Sequence, residues 1–215
     1  MGSQSFVCKI NGRLIEFFHI PKCGGTSVKT MLLEAMDYDW KNSPAADWGL
    51  QAEERKYTKQ QAKFRSEFFL KQYGRRPDYR FTVIRDPVDR MVSVYTNRVL
   101  FYRKMADPGW DRFINKMPNW SNSDITHHAM PMWKIIGTNP RMYKVFTMDE
   151  IKTKVPEFLS EIAGKEVSPM QRQTGGSEKK DNIVVTEQQI NKIKRVYDKD
   201  YRTWWNKDVV PQAFE

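Results

Sequence analysis

The sequence of 215 residues predicts a single α/β domain over residues 1–215, with a mainly parallel central sheet flanked by helices. Two segments support this fold class. In each, an apolar run ends in a polar turn, and a stretch with helical spacing follows. The first segment covers residues 14–36 and the second covers residues 79–99. Strand–turn–helix units of this kind are typical of α/β proteins, and the length suits one well-buried core.

The first unit begins with a strand whose end forms a turn suited to anions. Residues 5–20 are expected to form a hairpin around Asn11-Gly12. Gly24 and Gly25 permit positive φ or a close approach to a ligand, and the following Thr26 or Ser27 is expected to cap the helix. The apolar positions with helical spacing are Val28, Met31, Leu32, Ala35 and Met36.

Lys22 adds a full positive charge just before the two glycines. In the common nucleotide loop GxxxxGK[ST] the lysine follows the glycines, so a standard ATP or GTP loop is not expected here. The alternative interpretation of this segment is an ordinary strand-to-helix turn with a solvated lysine.

The second unit has a strand at residues 79–84 followed by Arg85, Asp86 and Pro87. Asp86 is expected to cap the next helix, and Pro87 suits its first turn. Arg85 follows the carboxyl end of a strand, where open α/β sheets bind ligands. Together with Ser93, which lies off the apolar stripe of the helix, it could bind a second phosphate.

Both segments resemble motifs of one enzyme family. Residues 19–27, His-Ile-Pro-Lys-Cys-Gly-Gly-Thr-Ser, resemble the P-loop-like 5′-phosphosulfate loop of sulfotransferases that use 3′-phosphoadenosine 5′-phosphosulfate (PAPS). Residues 83–95, with Arg85, Arg90 and Ser93, resemble the 3′-phosphate motif of that family. The resemblance implies transfer of a sulfuryl group from PAPS to an acceptor hydroxyl, with PAP as product, and it is strongest for carbohydrate sulfotransferases.

The resemblance also implies roles for individual residues. Lys22 would act in catalysis by stabilising the oxygen that bridges sulfur and the 5′-phosphate, without a metal ion. The sequence has no clustered Cys or carboxylate set at metal-ligand spacing. The cosubstrate contacts implied are Lys22, Cys23, Gly24, Gly25, Thr26, Ser27, Arg85 and Ser93.

A general base for the acceptor hydroxyl is sought among three histidines, because an imidazole titrates near neutral pH. His19 ends an apolar strand and is expected to be structural. His128 and His127 lie in a predicted loop, and His128 is the favoured base of the two. The following residues keep the His and Pro common in carbohydrate sulfotransferases but have Met132 in place of a glutamine. A carboxylate from residues 37–47 is the alternative base.

The predictions for the rest of the chain concern secondary structure. A long exposed helix is expected over residues 51–73, with the charge run 53–56 as a solvated face. The remaining predictions are a short helix at 110–116, a strand at 143–146, a helical segment from Pro156 to Gly164, a polar loop at 171–180 and a helix at 186–205.

Composition favours an anionic partner. Lysine and arginine number 36 against 26 acidic residues, a formal charge of +10, which suits a nucleotide cosubstrate or an acidic acceptor. The rival classes are a nucleotide kinase or NTPase and a basic nucleic-acid-binding module, but the basic residues are spread along the chain rather than clustered. Seven tryptophans could in part stack on sugars. The resemblance to carbohydrate sulfotransferases implies a saccharide acceptor, with a lipid, a small alcohol or a tyrosine as the alternatives.

Two cysteines, Cys8 and Cys23, are expected to be free thiols in a reducing compartment. The sequence has no apolar run long enough for a membrane span and no signal peptide. Because many Golgi members of the family that the sequence resembles carry a membrane anchor, we expect a soluble cytoplasmic protein of bacterial or viral origin, or alternatively a chain from which an anchor was removed. Residues 1–4 are expected to be vector-derived or disordered, and no oligomeric state is predicted.

Overall fold

The computed structural model describes residues 4–38, 53–56, 74–169 and 183–205. Within these ranges the chain forms a five-stranded sheet in the order β3-β1-β2-β4-β5. The strands are β1 Gln4–Ile10, β2 Arg13–His19, β3 Glu53–Lys56, β4 Tyr79–Ile84 and β5 Lys144–Thr147. The helices are α1 Gly25–Ala35, α2 Pro87–Val94, α3 Trp110–Asn115, α4 Ser123–His128, α5 Met132–Ile136, α6 Lys154–Ala163, α7 Glu187–Val196 and the single turn α8 Asp198–Asp200. π-Helical turns at Tyr95–Phe101 and Tyr201–Trp205 extend α2 and α8.

The sheet has a parallel part and an antiparallel part. β2, β4 and β5 run parallel, while β1 pairs antiparallel with both β2 and β3. The predicted α/β class is confirmed, and so is the hairpin at Asn11-Gly12 that joins β1 to β2. Because β2 and β4 are adjacent and parallel, their carboxyl ends lie at the same edge of the sheet.

Apolar side chains cover both faces of the sheet. On one face Phe17 stacks on Phe81 with ring centroids 5.0 Å apart, and Phe158 of α6 meets Phe81 at 5.4 Å. α1 packs on the same face through its buried residues. On the other face Phe18 packs in one cluster with Trp204 and with residues of α5. The helices therefore flank the sheet on both sides and leave the carboxyl edge of β2 and β4 for the turns.

Two local predictions were wrong. Residues 53–56 were predicted to be an exposed helical face, but they form β3, which pairs with β1 at the edge of the sheet. Their composition favours a helix, and non-local backbone pairing overrides that preference. His127 and His128 were predicted in a loop but end α4, which begins where the Asn122 side chain accepts hydrogen bonds from the amides of Asp124 and Ile125.

Some of the other predictions agree with the structure, and some concern residues outside the described ranges. The two cysteines are buried free thiols, as expected. The helix predicted over 186–205 is broken at Tyr197 into α7, α8 and a π-helical turn. The predicted loop at 171–180, most of the predicted helix 51–73 and most of residues 37–47, the source of the alternative base, lie outside the described residues. None of the helices in the described ranges is both long and apolar enough to span a membrane.

Asp86 caps α2, as predicted, and also binds Tyr201 in the π-helical turn after α8. Its Oδ1 accepts hydrogen bonds from the amides of Val88 at 2.7 Å and Asp89 at 3.3 Å. Its Oδ2 accepts a bond from the Tyr201 hydroxyl at 3.0 Å. One carboxylate thus caps α2 and anchors the C-terminal segment.

Replacing Asp86 with alanine should lower the free energy of unfolding by about 1–2 kcal/mol, because the first turn of α2 loses its cap. Urea unfolding followed by circular dichroism measures this change. Asp86→Asn keeps an oxygen in the capping position and should lose clearly less. Equal losses for the two variants would contradict a capping role.

Candidate functional site

The two predicted motifs meet at the carboxyl edge of the parallel strands. β2 leads into residues 20–24, here called the Lys22 turn, and β4 leads into residues 85–86, the Arg85 turn. The register of the two strands pairs Phe18 with Thr82 just before these turns. Arg85 Nη1 then donates a hydrogen bond to the Lys22 carbonyl at 3.4 Å. Sheet pairing and this contact bring the two turns side by side.

The backbone of the Lys22 turn is strongly curved. Lys22 has φ of 68° and Gly24 has φ of 70°, so two residues of the turn are left-handed. The Cys23 amide donates to the Ile20 carbonyl at 3.2 Å and closes the turn. Left-handed residues let neighbouring amides point to one side, an arrangement that recurs at anion sites. Lys22 is the unusual member, because residues other than glycine rarely adopt this conformation.

The predicted helix cap at Thr26 or Ser27 was wrong. α1 begins at Gly25 with Gly24 as its N-cap, without a side-chain cap and without an acidic residue in the first turn. The left-handed Gly24 takes the N-cap position in place of the predicted Thr26 or Ser27, and both of these residues lie inside the first turn of α1. The Thr30 hydroxyl bonds to the Thr26 carbonyl at 2.9 Å, and Ser27 is 3% exposed. Gly24 has no side chain, so this N-cap supplies no side-chain acceptor to the first amides of α1.

The two glycines are required by packing. A Cβ on Gly24 would collide with the end of the Ile151 side chain, and a Cβ on Gly25 would collide with the His19 ring. His19 is thus packed against the start of α1. Gly25 was expected to permit a close approach to a ligand. In the structure the group that lies close to it is the His19 ring.

Arg90 is a residue whose role the sequence did not reveal. It was noted as part of the second motif, and the structure places it on α2 with 0% exposure. Its Nε donates to the Pro21 carbonyl at 3.0 Å. Its Nη2 donates to the carbonyls of His128 at 3.0 Å and Met130 at 2.5 Å. One buried cation therefore connects the Lys22 turn with residues 127–130, here called the histidine segment.

Ser93 lies further along α2 and is 7% exposed, while Arg85 is half-buried at the turn. Both are on the unit that begins at the carboxyl end of β4. Their joint contact with a phosphate stays a prediction.

All three histidines of the chain lie near one another. The rings of His127 and His128 meet edge to face with centroids 5.3 Å apart. Burial, followed by the positive charge of Lys29, lowers the pKa of His19 to about 3, so this ring is neutral at pH 7. Its packing against Gly25 agrees with the structural role predicted for His19.

His128 has a defined proton arrangement. Its Nδ1 lies 2.8 Å from the Asp124 carbonyl oxygen, which can only accept a hydrogen bond. Nδ1 therefore carries the proton, and the lone pair of the neutral ring is on Nε2. Burial lowers the pKa of His128 to about 4, although the bond to Asp124 opposes that shift. The ring is neutral at pH 7 and its Nε2 can accept a proton.

A salt bridge holds the helix that carries His128. Arg98 donates from Nε at 2.7 Å and from Nη2 at 2.5 Å to the two carboxylate oxygens of Asp124. These hydrogen bonds hold the pKa of Asp124 below its usual value. The carboxylate stays ionised 3.7 Å from His128 Nδ1. Arg98, one of the residues that the sequence did not single out, thus fixes α4 to the extension of α2.

Asp200 holds the chain just after the histidine segment. Its carboxylate accepts hydrogen bonds from the amides of Met132 and Trp133, each at 2.8 Å. It is fully buried, and burial raises its pKa against the effect of these two bonds and of Arg90. The sequence offered no signal for this residue, because its partners lie 68 and 67 residues away.

The described residues contain no group of three or more His, Cys, Asp or Glu side chains that could hold a metal ion. A family model described as "Sulfotransferase family" matches residues 11–204, which is most of the chain. No curated protein and no solved structure shows a significant match. The match includes both turns, Arg90 and the histidine segment.

The low pKa of His128 predicts a pH dependence of stability. The unfolded chain binds a proton near pH 6.5, whereas the folded chain does so only near pH 4, so acid favours unfolding between these values. The free energy of unfolding should fall by up to about 1.4 kcal/mol per pH unit for one such group. Urea unfolding between pH 7 and 4.5 measures the slope. His128→Gln should have a flatter slope, and an unchanged slope would show that His128 titrates normally.

Proposed function

The chain belongs to the sulfotransferase family, and from that premise we propose that it transfers a sulfuryl group from PAPS to a hydroxyl group, with a saccharide as the acceptor. Membership of the family supports sulfuryl transfer in general. The observation that carries the finer proposal is the adjacency of the Lys22 turn and the Arg85 turn, joined by the 3.4 Å contact between Arg85 Nη1 and the Lys22 carbonyl. A nucleotide with phosphates at both its 5′ and 3′ positions needs two such sites close together.

The Lys22 turn is proposed to bind the 5′-phosphosulfate. Helix N-termini favour anions, and the N-cap of α1 is a glycine that offers no side-chain oxygen to its first amides. Gly25, Thr26 and Ser27 supply these amides. Cys23 contributes through its backbone only, because burial raises the pKa of its thiol to about 11 and the thiolate is not formed at neutral pH.

The Arg85 turn is proposed to bind the 3′-phosphate. The Arg85 guanidinium is half-buried beside the Lys22 turn, so a phosphate there would meet a charge that is partly shielded from water. Ser93 is proposed to add a hydroxyl contact from α2.

In the proposed reaction the acceptor oxygen attacks sulfur in line with the bridging oxygen. A new S–O bond forms, the bond from sulfur to the bridging oxygen breaks, and that oxygen leaves on PAP with the electron pair. Lys22 would offset the charge that gathers on the leaving oxygen. The acceptor proton passes to a base.

His128 is the proposed base, with His127 as the second candidate beside it. Nδ1 of His128 donates to Asp124, so Nε2 is the basic atom. A pKa near 4 makes the ring a weak base in the free protein. An anionic sulfuryl group nearby would raise that pKa, because an opposite charge favours the imidazolium form. The base would then strengthen when the cosubstrate binds.

The saccharide acceptor is supported by an aromatic side chain next to the histidine segment. Trp133 is half-buried, and the ammonium groups of Lys199 and Lys134 lie 4.2 Å and 5.5 Å from its ring centroid. An indole face with two cations suits a sugar that carries an acidic group. Trp110 and Trp120 instead bond to Gln189 and to the Phe113 carbonyl, which are structural contacts.

A transfer assay with sulfur-labelled PAPS against panels of glycans, lipids and phenols tests the proposal. We expect label on a saccharide hydroxyl, and calorimetry without magnesium should show tighter binding of PAP than of ATP. Label on another class would refute the saccharide acceptor alone. Failure to bind PAP or to use PAPS would refute the cosubstrate.

Lys22→Met should lower kcat by about a hundredfold to a thousandfold, because the lost charge acts mainly on the transition state. KM for PAPS should change much less, and the melting temperature should stay close to that of the parent. Steady-state kinetics at saturating acceptor measure both constants. Lys22→Arg keeps the charge and serves as the matched control. An unchanged kcat in Lys22→Met would remove this lysine from the mechanism.

Arg85→Ala should act mainly on binding. Loss of a charge-assisted contact to phosphate should weaken the affinity for PAP by about tenfold to a hundredfold. Calorimetry with PAP and with adenosine 5′-phosphosulfate, which lacks the 3′-phosphate, separates the contacts. The variant should lose affinity for PAP and keep its affinity for the second nucleotide. Equal losses for both would place Arg85 away from the 3′-phosphate.

A further inference from the structure

We infer that Arg90 is a positioning residue that fixes the distance between the Lys22 turn and the base on the histidine segment. This inference rests on the proposed function. Arg90 is fully buried and so is not expected to touch the substrates. Its effect on the reaction would pass through the two backbone segments that it binds.

The guanidinium reaches both segments with different nitrogens. Nε binds the carbonyl of Pro21, the residue directly before Lys22, at 3.0 Å. Nη2 binds the carbonyl of His128 itself at 3.0 Å and that of Met130 at 2.5 Å. A rigid planar group therefore joins the backbone beside the proposed catalytic lysine to the backbone of the proposed base.

A second contact restrains the same segment from its other end. Asp200 accepts hydrogen bonds from the amides of Met132 and Trp133, which are separated by Pro131 from the last carbonyl bound by Arg90. Residues 128–133 are thus held by a cation at their carbonyls and by a carboxylate at their amides. Side chains from α2 and α8 fix a segment that has only a short helix, α4, on its N-terminal side.

The chemistry of the two contacts explains why an arginine is needed. A lysine ammonium donates from a single nitrogen on a flexible stem, whereas the planar fork of a guanidinium reaches the two segments with different nitrogens in a fixed geometry. Burying a cation is costly unless its donors are bonded. Nη1 of Arg90 is buried without a hydrogen-bond partner among the described residues, so the bonds of Nε and Nη2 to the two segments are the hydrogen bonds that offset this cost. A lysine at this position should keep the charge and lose the fixed spacing.

A change in the distance between the Lys22 turn and the base on the histidine segment should lower kcat. Displacing a base by a fraction of an ångström lowers the rate of the chemical step, whereas the contacts to PAPS from α1 and Arg85 remain. We expect Arg90→Lys to lower kcat by about tenfold to a hundredfold, with KM for PAPS and Kd for PAP within about threefold of the parent.

A double-mutant cycle with His128→Gln tests the inference, with kcat as the readout. If Arg90 acts by placing His128, then Arg90→Lys should have an effect below about threefold once the base is absent. Arg80→Lys is the matched control, because Arg80 binds the Glu16 carboxylate at 3.1 Å on the sheet. Any effect of that variant should be the same with and without His128.

Equal effects of Arg90→Lys in both backgrounds would overturn the inference, since a loss of general stability lowers kcat in both. If Arg90→Lys does not fold, as judged by circular dichroism, Asp200→Asn replaces it in the same cycle, and equal effects in both backgrounds again overturn the inference. Parent-level kcat in His128→Gln would overturn it as well, while sulfuryl transfer would stand. A parent protein without PAPS turnover would instead refute the proposed function.

Discussion

The parallel pairing of β2 with β4 is the constraint on which the candidate site depends. The two strands are far apart in the chain, and only their pairing places the turns that follow them at one edge of the sheet. The Thr82 hydroxyl donates to the Phe18 carbonyl at 2.9 Å in the buried sheet, and Phe17 stacks on Phe81. Since a shift by one residue would turn each side chain to the opposite face, the core packing fixes the register and therefore the relation of the turns.

The positively charged side chains at the carboxyl edge of β2 and β4 have two consequences. Lys22 and Arg85 lie on the two turns, Lys29 lies on α1 and Arg90 is buried beneath, so an anionic ligand is favoured there. A field of this sign also disfavours protonated imidazoles, and Lys29 contributes to the low pKa of His19 in this way. The cations at this edge therefore favour an anionic ligand, and Lys29 adds to burial, which is the main cause of the low pKa of His19.

The parts of the structure that sequence predicted are those encoded locally. The strand, turn and helix of each unit follow from apolar spacing, from glycines and from the Asp86 cap, and all of them were found. The parts that were missed depend on distant partners. Arg90 acts on carbonyls that are 69, 38 and 40 residues away, and Asp200 acts on amides of another helix. β3 was missed because its charged residues are held in a strand by β1 rather than by their own preference. The start of α1 at Gly25 was missed for a local reason, because its N-cap is the left-handed Gly24 rather than a residue with a hydroxyl group.

The electrostatics of the site connect cosubstrate binding with the strength of the proposed base. In the free protein burial, and to a smaller extent the charge of Arg98, keeps the His128 ring neutral at pH 7, and Nε2 has little affinity for a proton. In the proposed complex the negative charge of the phosphosulfate would favour the imidazolium form, so the affinity of Nε2 for a proton would rise. Arg98 and Arg90 hold the ring and its backbone in place throughout, since their partners are Asp124 and backbone carbonyls rather than the ligand. The protein would thus change the basicity of His128 without moving it, and the acceptor hydroxyl would be activated only where a sulfuryl group is ready to receive it.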